Sequence, residues 1–157
     1  DLLVPEEELG HLYAPVDGKV LPLDQSQDPI FASGQSGKGI VIVPSGNTLY
    51  TPAACRVIAQ LPSFNAVGLL TQDGIELLVV VGAGAERSDG RGFRQHVWQN
   101  DSARRGVPLI SWDPTLVPKE AAGQVMLIVT NSSELENVEL LESGNVQVGD
   151  KIASISP

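Results

Sequence analysis

Cysteine is nearly absent from this chain: Cys55 stands alone, which excludes an internal disulfide and makes a reducing compartment the simpler expectation. A domain of 157 residues buries enough surface to stand without such a staple, and Cys55 is expected to serve as a small buried apolar side chain. Histidine is almost as scarce, with only His11 and His96. Two isolated imidazoles and no cysteine cluster exclude the usual zinc-binding sets, so no metal or other cofactor is expected. No apolar run approaches the roughly 20 residues that cross a bilayer as a helix. Basic residues are outnumbered, 10 Lys and Arg against 19 Asp and Glu, for a formal charge of -9. Like charges repel before contact forms, so nucleic acid and anionic membrane surfaces are expected to be no partners. The acidic start, Pro5 to Glu8, lacks the basic region of a signal peptide, and a cytoplasmic location is expected. The chain opens on Asp1 rather than methionine, as a trimmed chain or one piece of a longer protein would.

What is present is the punctuation of an antiparallel β protein. Short, β-branched apolar runs are interrupted every several residues by Gly, Pro, Asn or Asp. Strands are expected at Leu12 to Pro15, Gly18 to Pro22, Gly39 to Pro44, Leu49 to Pro52, Cys55 to Gln60, Ala66 to Thr71, Glu76 to Val81, His96 to Trp98, Pro108 to Trp112, Val125 to Val129 and Lys151 to Ile155. Asp17-Gly18, Ser45-Gly46-Asn47 and Asp73-Gly74 supply turn residues between them. Helix signals are two and short. Asp113-Pro114 reads as an N-cap with proline at the first helical position, and Ser133 to Glu136 has capping-box spacing. With no linker or low-complexity tract, residues 1–10 read as an N-terminal extension and 11–157 as one domain.

Tyr13-Ala-Pro-Val-Asp-Gly-Lys-Val20 is echoed by Tyr50-Thr-Pro-Ala-Ala-Cys-Arg-Val57. A second echo pairs Arg105-Gly-Val-Pro-Leu-Ile110 with Val148-Gly-Asp-Lys-Ile-Ala153. Duplicated strand-turn-strand units that pack on each other predict an all-β fold, an antiparallel sandwich or partly closed barrel with one or two very short helices.

Several local patterns invite a function and are weighed against a structural role. Val81-Gly-Ala-Gly-Ala85 follows an apolar strand as a dinucleotide loop does, but Arg87 stands where the third glycine is needed, and Ser88 to Gly92 cannot start the phosphate-binding helix. Asn100-Asp-Ser102 and Asn131-Ser-Ser133 match a glycosylation pattern without a secretion signal. Alternation points His96 to the side shared with Arg94 and Trp98, and both histidines read as exposed structural residues. Arg87, Arg91, Arg94, Arg104 and Arg105 gather in one stretch of an acidic chain. They read as a solvated face, with docking to an acidic partner or anionic ligand as the functional alternative.

Taken in order, Tyr13 to Val20, Asp28-Pro-Ile-Phe-Ala-Ser33, Gly37-Lys-Gly-Ile-Val-Ile-Val-Pro44, Gly74-Ile-Glu-Leu-Leu-Val79, Gly90-Arg-Gly-Phe93 and Ile128-Val-Thr-Asn131 through Gly144 and Val148-Gly149 resemble the glucose-type enzyme IIA family of the bacterial sugar phosphotransferase system. The resemblance runs nearly end to end. It implies a compact antiparallel β-sandwich whose members accept a phosphoryl group from the small histidine phosphocarrier protein and pass it to a sugar-specific enzyme IIB domain. The family's acceptor histidine matches Val80. Its second histidine, which hydrogen-bonds the phosphoryl group, matches Asn65 with Ser63 nearby, and an aspartate shortly after the acceptor matches Gly84. An imidazole can form a phosphorus–nitrogen bond near neutral pH, whereas valine has no lone pair and Asn65 can only hydrogen-bond. The resemblance therefore implies a degenerate, non-catalytic enzyme IIA-like domain that regulates or docks, with no catalytic residue of its own. Phe31, Phe64, Val67 and Val80 would line an apolar surface for a protein partner, a phosphotransferase component or a sugar transporter. Two alternatives stay open: a working phosphocarrier that uses another acceptor, His96 or His11, and small-ligand binding by Asn65, Ser63 and the Gly82 to Gly84 turn.

Overall fold

The computed structural model describes residues 3–82 and 91–157. It is an antiparallel β-sandwich. The strands are β1 (His11–Tyr13), β2 (Gly18–Pro22), β3 (Lys38–Pro44), β4 (Thr48–Tyr50), β5 (Cys55–Gln60), β6 (Ala66–Thr71), β7 (Glu76–Val81), β8 (Phe93–Gln95), β9 (Ser102–Ala103), β10 (Pro108–Trp112), β11 (Val125–Val129), β12 (Asn137–Leu140), β13 (Gly144–Val146) and β14 (Lys151–Ser156). One large sheet runs β13-β2-β3-β11-β7-β6-β5-β9, and two small sheets run β1-β14-β12 and β4-β10-β8.

The centre of the large sheet is apolar on both faces, so its strands read as continuous Val, Ile and Leu rather than as alternating apolar and polar residues. All of β11 is buried. Because side chains alternate between faces, Leu77, Val79, Val81, Val125, Leu127, Val129, Ile40, Ile42, Val67 and Leu69 point into the main core. There they meet Leu12, Ile152 and Ile155 from one small sheet and Leu109, Ile110 and Trp112 from the other. Val41, Ala66, Val80, Met126 and Ile128 point the opposite way into a second, smaller cluster, with Leu21, Leu23, Phe31 and Leu78 against it. The close strand spacing admits no side chain at Gly39, where a Cβ would lie 2.3 Å from the Leu127 carbonyl oxygen.

The duplicated sequence motifs form a two-fold pseudo-symmetric pair. The Tyr13 N–H donates to the Pro52 carbonyl and the Tyr50 N–H to the Pro15 carbonyl, both at 2.8 Å. Likewise the Ala14 N–H donates to Asp150 O and Gly149 N–H to Ala14 O, while Thr51 N–H donates to Val107 O and Gly106 N–H to Thr51 O. Gly18 pairs with Val146 as Cys55 pairs with Ala103. The pseudo-axis passes between β7 and β11, leaving β13-β2-β3-β11 on one side and β9-β5-β6-β7 on the other.

Where the strand expectations miss, tertiary pairing is the reason. The expected strand at His96 to Trp98 lies instead at Phe93–Gln95, where Phe93, Arg94 and Gln95 face Trp112, Ser111 and Ile110. Beyond Gln95 the chain leaves the ladder, and the Gln60 side chain donates to Val97 O at 2.7 Å. The capping-box segment makes one 3-10 turn, Ser132–Glu134, and then enters β12, because the edge of β14 is open to receive Val138 and Leu140. Asp113-Pro114 closes a single turn through Leu116 and Val117 N–H to Asp113 O. The short helix α1 forms instead at Pro29–Ala32, where Asp28 Oδ1 accepts from Ile30 N at 2.9 Å and from Phe31 N at 3.4 Å. Residues before β1 pack on the domain: Gly10 N–H donates to Asp73 at 2.7 Å, and Arg105 lies 4.1 Å over the Tyr13 ring and 3.4 Å from the Glu8 carboxylate. Burial raises the Tyr13 phenol pKa above its ordinary value, with Arg105 opposing.

Thr51, which is buried, ties its repeat to the turn before β10: its hydroxyl donates to Arg104 O at 2.5 Å and accepts from Val107 N at 2.9 Å. Thr51→Val keeps the shape and leaves both backbone groups without this partner. It is expected to lower stability by about 2 kcal/mol, read as a lower urea midpoint with an unchanged slope.

Candidate functional site

Asn65 and Val80 are brought together by β6 and β7. Ala66 faces Val80 across the ladder, and Asn65 extends that ladder by one residue, accepting from Val81 N through its backbone carbonyl at 2.8 Å. Its side chain is buried and engaged at both ends: Nδ2 donates to Val81 O at 3.1 Å, and Oδ1 accepts from the Ser63 hydroxyl. Val80, at 7% exposure, sits among Val41, Ala66, Met126 and Ile128. At the centre of this site there is therefore an alkyl side chain and a carboxamide with both amide groups already bonded. Neither offers a nucleophilic lone pair.

Of the residues expected to line the surrounding surface, Phe31 packs from α1 onto the Val80 cluster. Phe64 stands at the turn entering β6, at 39% exposure and with φ of 60°. Val67 corrects the expectation: it is 1% exposed and belongs to the main core. The reason is parity, since Val67 pairs with Val79 and shares its face, one step along the strand from Ala66 and Val80. Gly84 and Arg87 lie outside the described residues.

Sequence reading missed the floor of the site and the residue that positions its rim. Val41, Met126 and Ile128 surround Val80; the period-2 pattern of β3 and β11 carries that signal once their registers are known. Buried Gln124 is less legible. Its backbone carbonyl accepts from Gly82 N at 2.7 Å, its Oε1 from Gln27 N at 2.8 Å, and its Nε2 donates to Gln25 O at 2.9 Å. It thus ties the end of β7 to the segment leading into α1, which holds Phe31 over Val80. A single glutamine before an apolar strand gives no warning of this.

The other reactive side chains lie elsewhere. His11 Nδ1 is 3.3 Å from Ala153 O on β14, and His96 Nε2 is 2.8 Å from the Ser111 hydroxyl on β10; neither histidine lies on β6 or β7. The expected arginine patch divides. Arg105 is engaged with Tyr13 and Glu8, whereas Arg94 projects from β8 into solvent. Among the described residues no group of three or more His, Cys, Asp and Glu side chains is placed to hold a metal, and no helix is long and apolar enough to cross a membrane.

Compared with known proteins, the chain matches, over residues 10–135, the family model described as phosphoenolpyruvate-dependent sugar phosphotransferase system, EIIA 1. It is 31% identical over 150 residues to the glucose-specific EIIBCA component of Corynebacterium glutamicum, covering 95% of this chain and 22% of that protein. It is 37% identical over 147 residues to the β-glucoside-specific EIIBCA component of Dickeya chrysanthemi, covering 92% of this chain and 23% of that protein. The chain thus spans less than a quarter of the length of these curated relatives. Among solved structures, glucose permease IIA from Mycoplasma capricolum superposes with a TM-score of 0.83 at 29% identity, covering 91% of this chain and 93% of that one.

Cys55 lies in the main core, and burial pushes its thiol up to about 12 from 9.0. The folded state therefore favours the neutral thiol. Its contribution to stability is complete below pH 9, where the unfolded thiol is also protonated, and is lost as pH rises from 9 toward 12. The native protein is expected to resist a thiol-specific disulfide reagent at pH 8 and to react stoichiometrically once unfolded; Cys55→Ala should flatten the alkaline loss of stability.

Proposed function

Because the chain belongs to the EIIA 1 family of the phosphoenolpyruvate-dependent sugar phosphotransferase system, we propose that it serves such a system as a docking or regulatory domain and carries no phosphoryl group itself. The observation that carries this reading is the environment of Val80. The resemblance sets Val80 and Asn65 at the places of the family's histidine pair. Relay through the first of these needs a nitrogen lone pair that attacks phosphorus while the bond to the donor imidazole breaks. Val80 has no such lone pair, and its methyl groups are packed into an apolar cluster. Asn65, which would have to steady the phosphoryl oxygens, directs one amide N–H to Val81 O and its carbonyl to Ser63, and as a neutral amide it brings no positive charge to them. The pairing of Ser63 with Asn65 counts against small-ligand binding there, since it already engages the Ser63 proton and the Asn65 carbonyl within the protein.

What remains at this face is suited to contact. The Val80 cluster is rimmed by Phe31, and exposed apolar side chains stand at Ile30 on α1 and at Leu61 and Phe64 in the turn before Asn65. Exposed apolar side chains grouped around a packed floor favour association with another protein. Partners of the kind expected are other phosphotransferase components, an enzyme IIB domain or a sugar transporter. The relatives combine B, C and A parts in one protein by name, and a B or C part attached to this domain would meet the face at high effective concentration.

Intact-mass analysis after incubation with phosphoenolpyruvate, enzyme I and the histidine phosphocarrier protein tests the reading. The wild-type chain is expected to keep its mass, while an Asn65→His, Val80→His double variant gains one phosphoryl group because fold and docking face are retained. Phosphorylation of the wild type would overturn the proposal and move the search to His96 and His11.

A further inference from the structure

A second surface, separate from the Val80 cluster, lies on the other side of Phe64. Phe64, Phe93, Arg94, Gln95, His96 and Trp98 line a groove of about 520 Å³, to which no member of that cluster contributes. Trp98 is 60% exposed, unlike the buried Trp112. It is held on a closed turn, where its N–H donates to Asp101 Oδ2 at 2.8 Å and Asp101 N–H returns a bond to its carbonyl at 3.0 Å. Gln60 fixes the neighbouring backbone, donating to Val97 O and accepting from Gln99 N. Arg94, His96 and Trp98 are exposed where Phe93 and Val97 are buried, so the three side chains stand at the surface of this segment.

The pseudo-symmetric mate shows that the fold alone does not demand these residues. On the other side of the axis, Gly37 takes the place of Phe64, and each closes the same turn, Gly37 N–H to Gly34 O and Phe64 N–H to Leu61 O. Strand β12 takes the place of β8, with Glu139 facing Ser154 as Arg94 faces Ser111, and Leu140 facing Ala153 as Gln95 faces Ile110. That mate groove is lined by Gly37, Val138, Leu140, Leu141 and Glu142 among others. Both turn residues take a positive φ, a backbone region suited to glycine and unfavourable for a bulky side chain. An aromatic ring kept at that position, half exposed beside a rigid exposed tryptophan, is a feature that marks contact surfaces more than cores.

We infer that this groove docks an acidic segment of a partner protein that also carries an apolar side chain, the apolar group resting on Phe64 and Trp98 and the carboxylates facing Arg94 and His96. Charge decides the occupant. The chain carries a formal charge of -9, yet among the described residues no carboxylate lines this groove, so an acidic segment meets a guanidinium with an imidazole beside it where a basic one meets like charge. Trp and Arg are the residues that dominate protein contacts, because each combines a broad apolar surface with a directed donor. The rigid turn under Trp98 lowers the ordering cost of binding.

Selection of a random peptide library against the whole chain tests this. Enriched peptides are expected to be acidic with an aromatic or large aliphatic residue. Their affinity should fall about tenfold or more in Trp98→Ala and in Arg94→Glu, both changes at exposed positions, and should weaken with rising salt. Ile30→Glu, on the other face, should leave binding in place. Failure to enrich peptides, enrichment of neutral or basic ones, or loss of binding in Ile30→Glu with retention in Trp98→Ala would each overturn the inference. None of these results depends on whether the chain is phosphorylated.

Discussion

The fold depends on one constraint: the central strands of the large sheet must satisfy two apolar clusters at once. β11 pairs with β3 on one side and β7 on the other, and every one of its five residues is buried. Alternation then assigns each neighbour to a face. Val79 and Val81 support the main core with Leu127 and Val125, while Val80 joins Met126 and Ile128 on the reverse. A one-residue slip in β7 would turn Val80 inward and bring its neighbours out, so register and site are a single property of the sheet.

Around this axis the chain is built twice. Reciprocal bonds between Tyr13 and Pro52 and between Tyr50 and Pro15 join the repeats, and the two small sheets close over the main core from equivalent positions. Symmetry of backbone leaves side chains free to diverge. Where one half carries Gly37, Glu139 and Leu140, the other carries Phe64, Arg94 and Gln95. These differences lie on edge strands β8 and β12 and at turns, where a change of residue costs little core packing.

This separation gives the domain two unlike faces. One is the apolar floor around Val80, positioned by Gln124 through its bonds to Gly82, Gln25 and Gln27. The other is the aromatic and cationic groove on β8. Phe64 stands between them. The thiol of Cys55 belongs to neither face, being buried in the core, and the His96 imidazole that lines the groove bonds to the Ser111 hydroxyl. On the reading proposed above, these faces serve recognition, with specificity set by shape and by local charge that runs against the charge of the whole chain.

By itself the sequence determined the all-β class, most strand positions, the repeat and the family resemblance, because alternation, turn residues and ordered motifs are local signals that survive in one dimension. It also determined that positions 65 and 80 hold a carboxamide and an alkyl group. It did not reveal the short strands at Ser102–Ala103, Asn137–Leu140 and Gly144–Val146, since these polar segments become strands only by pairing with an open edge supplied from elsewhere in the chain. Tertiary structure alone decided which apolar residues reach the site. Val67 and Val80 are equally hydrophobic on paper, but cross-strand register sends the first to the core and leaves the second beside Phe31. Tertiary structure also parted the arginines of one stretch: Arg94 on β8 faces solvent, whereas Arg105, in the turn between β9 and β10, is drawn over Tyr13 beside Glu8.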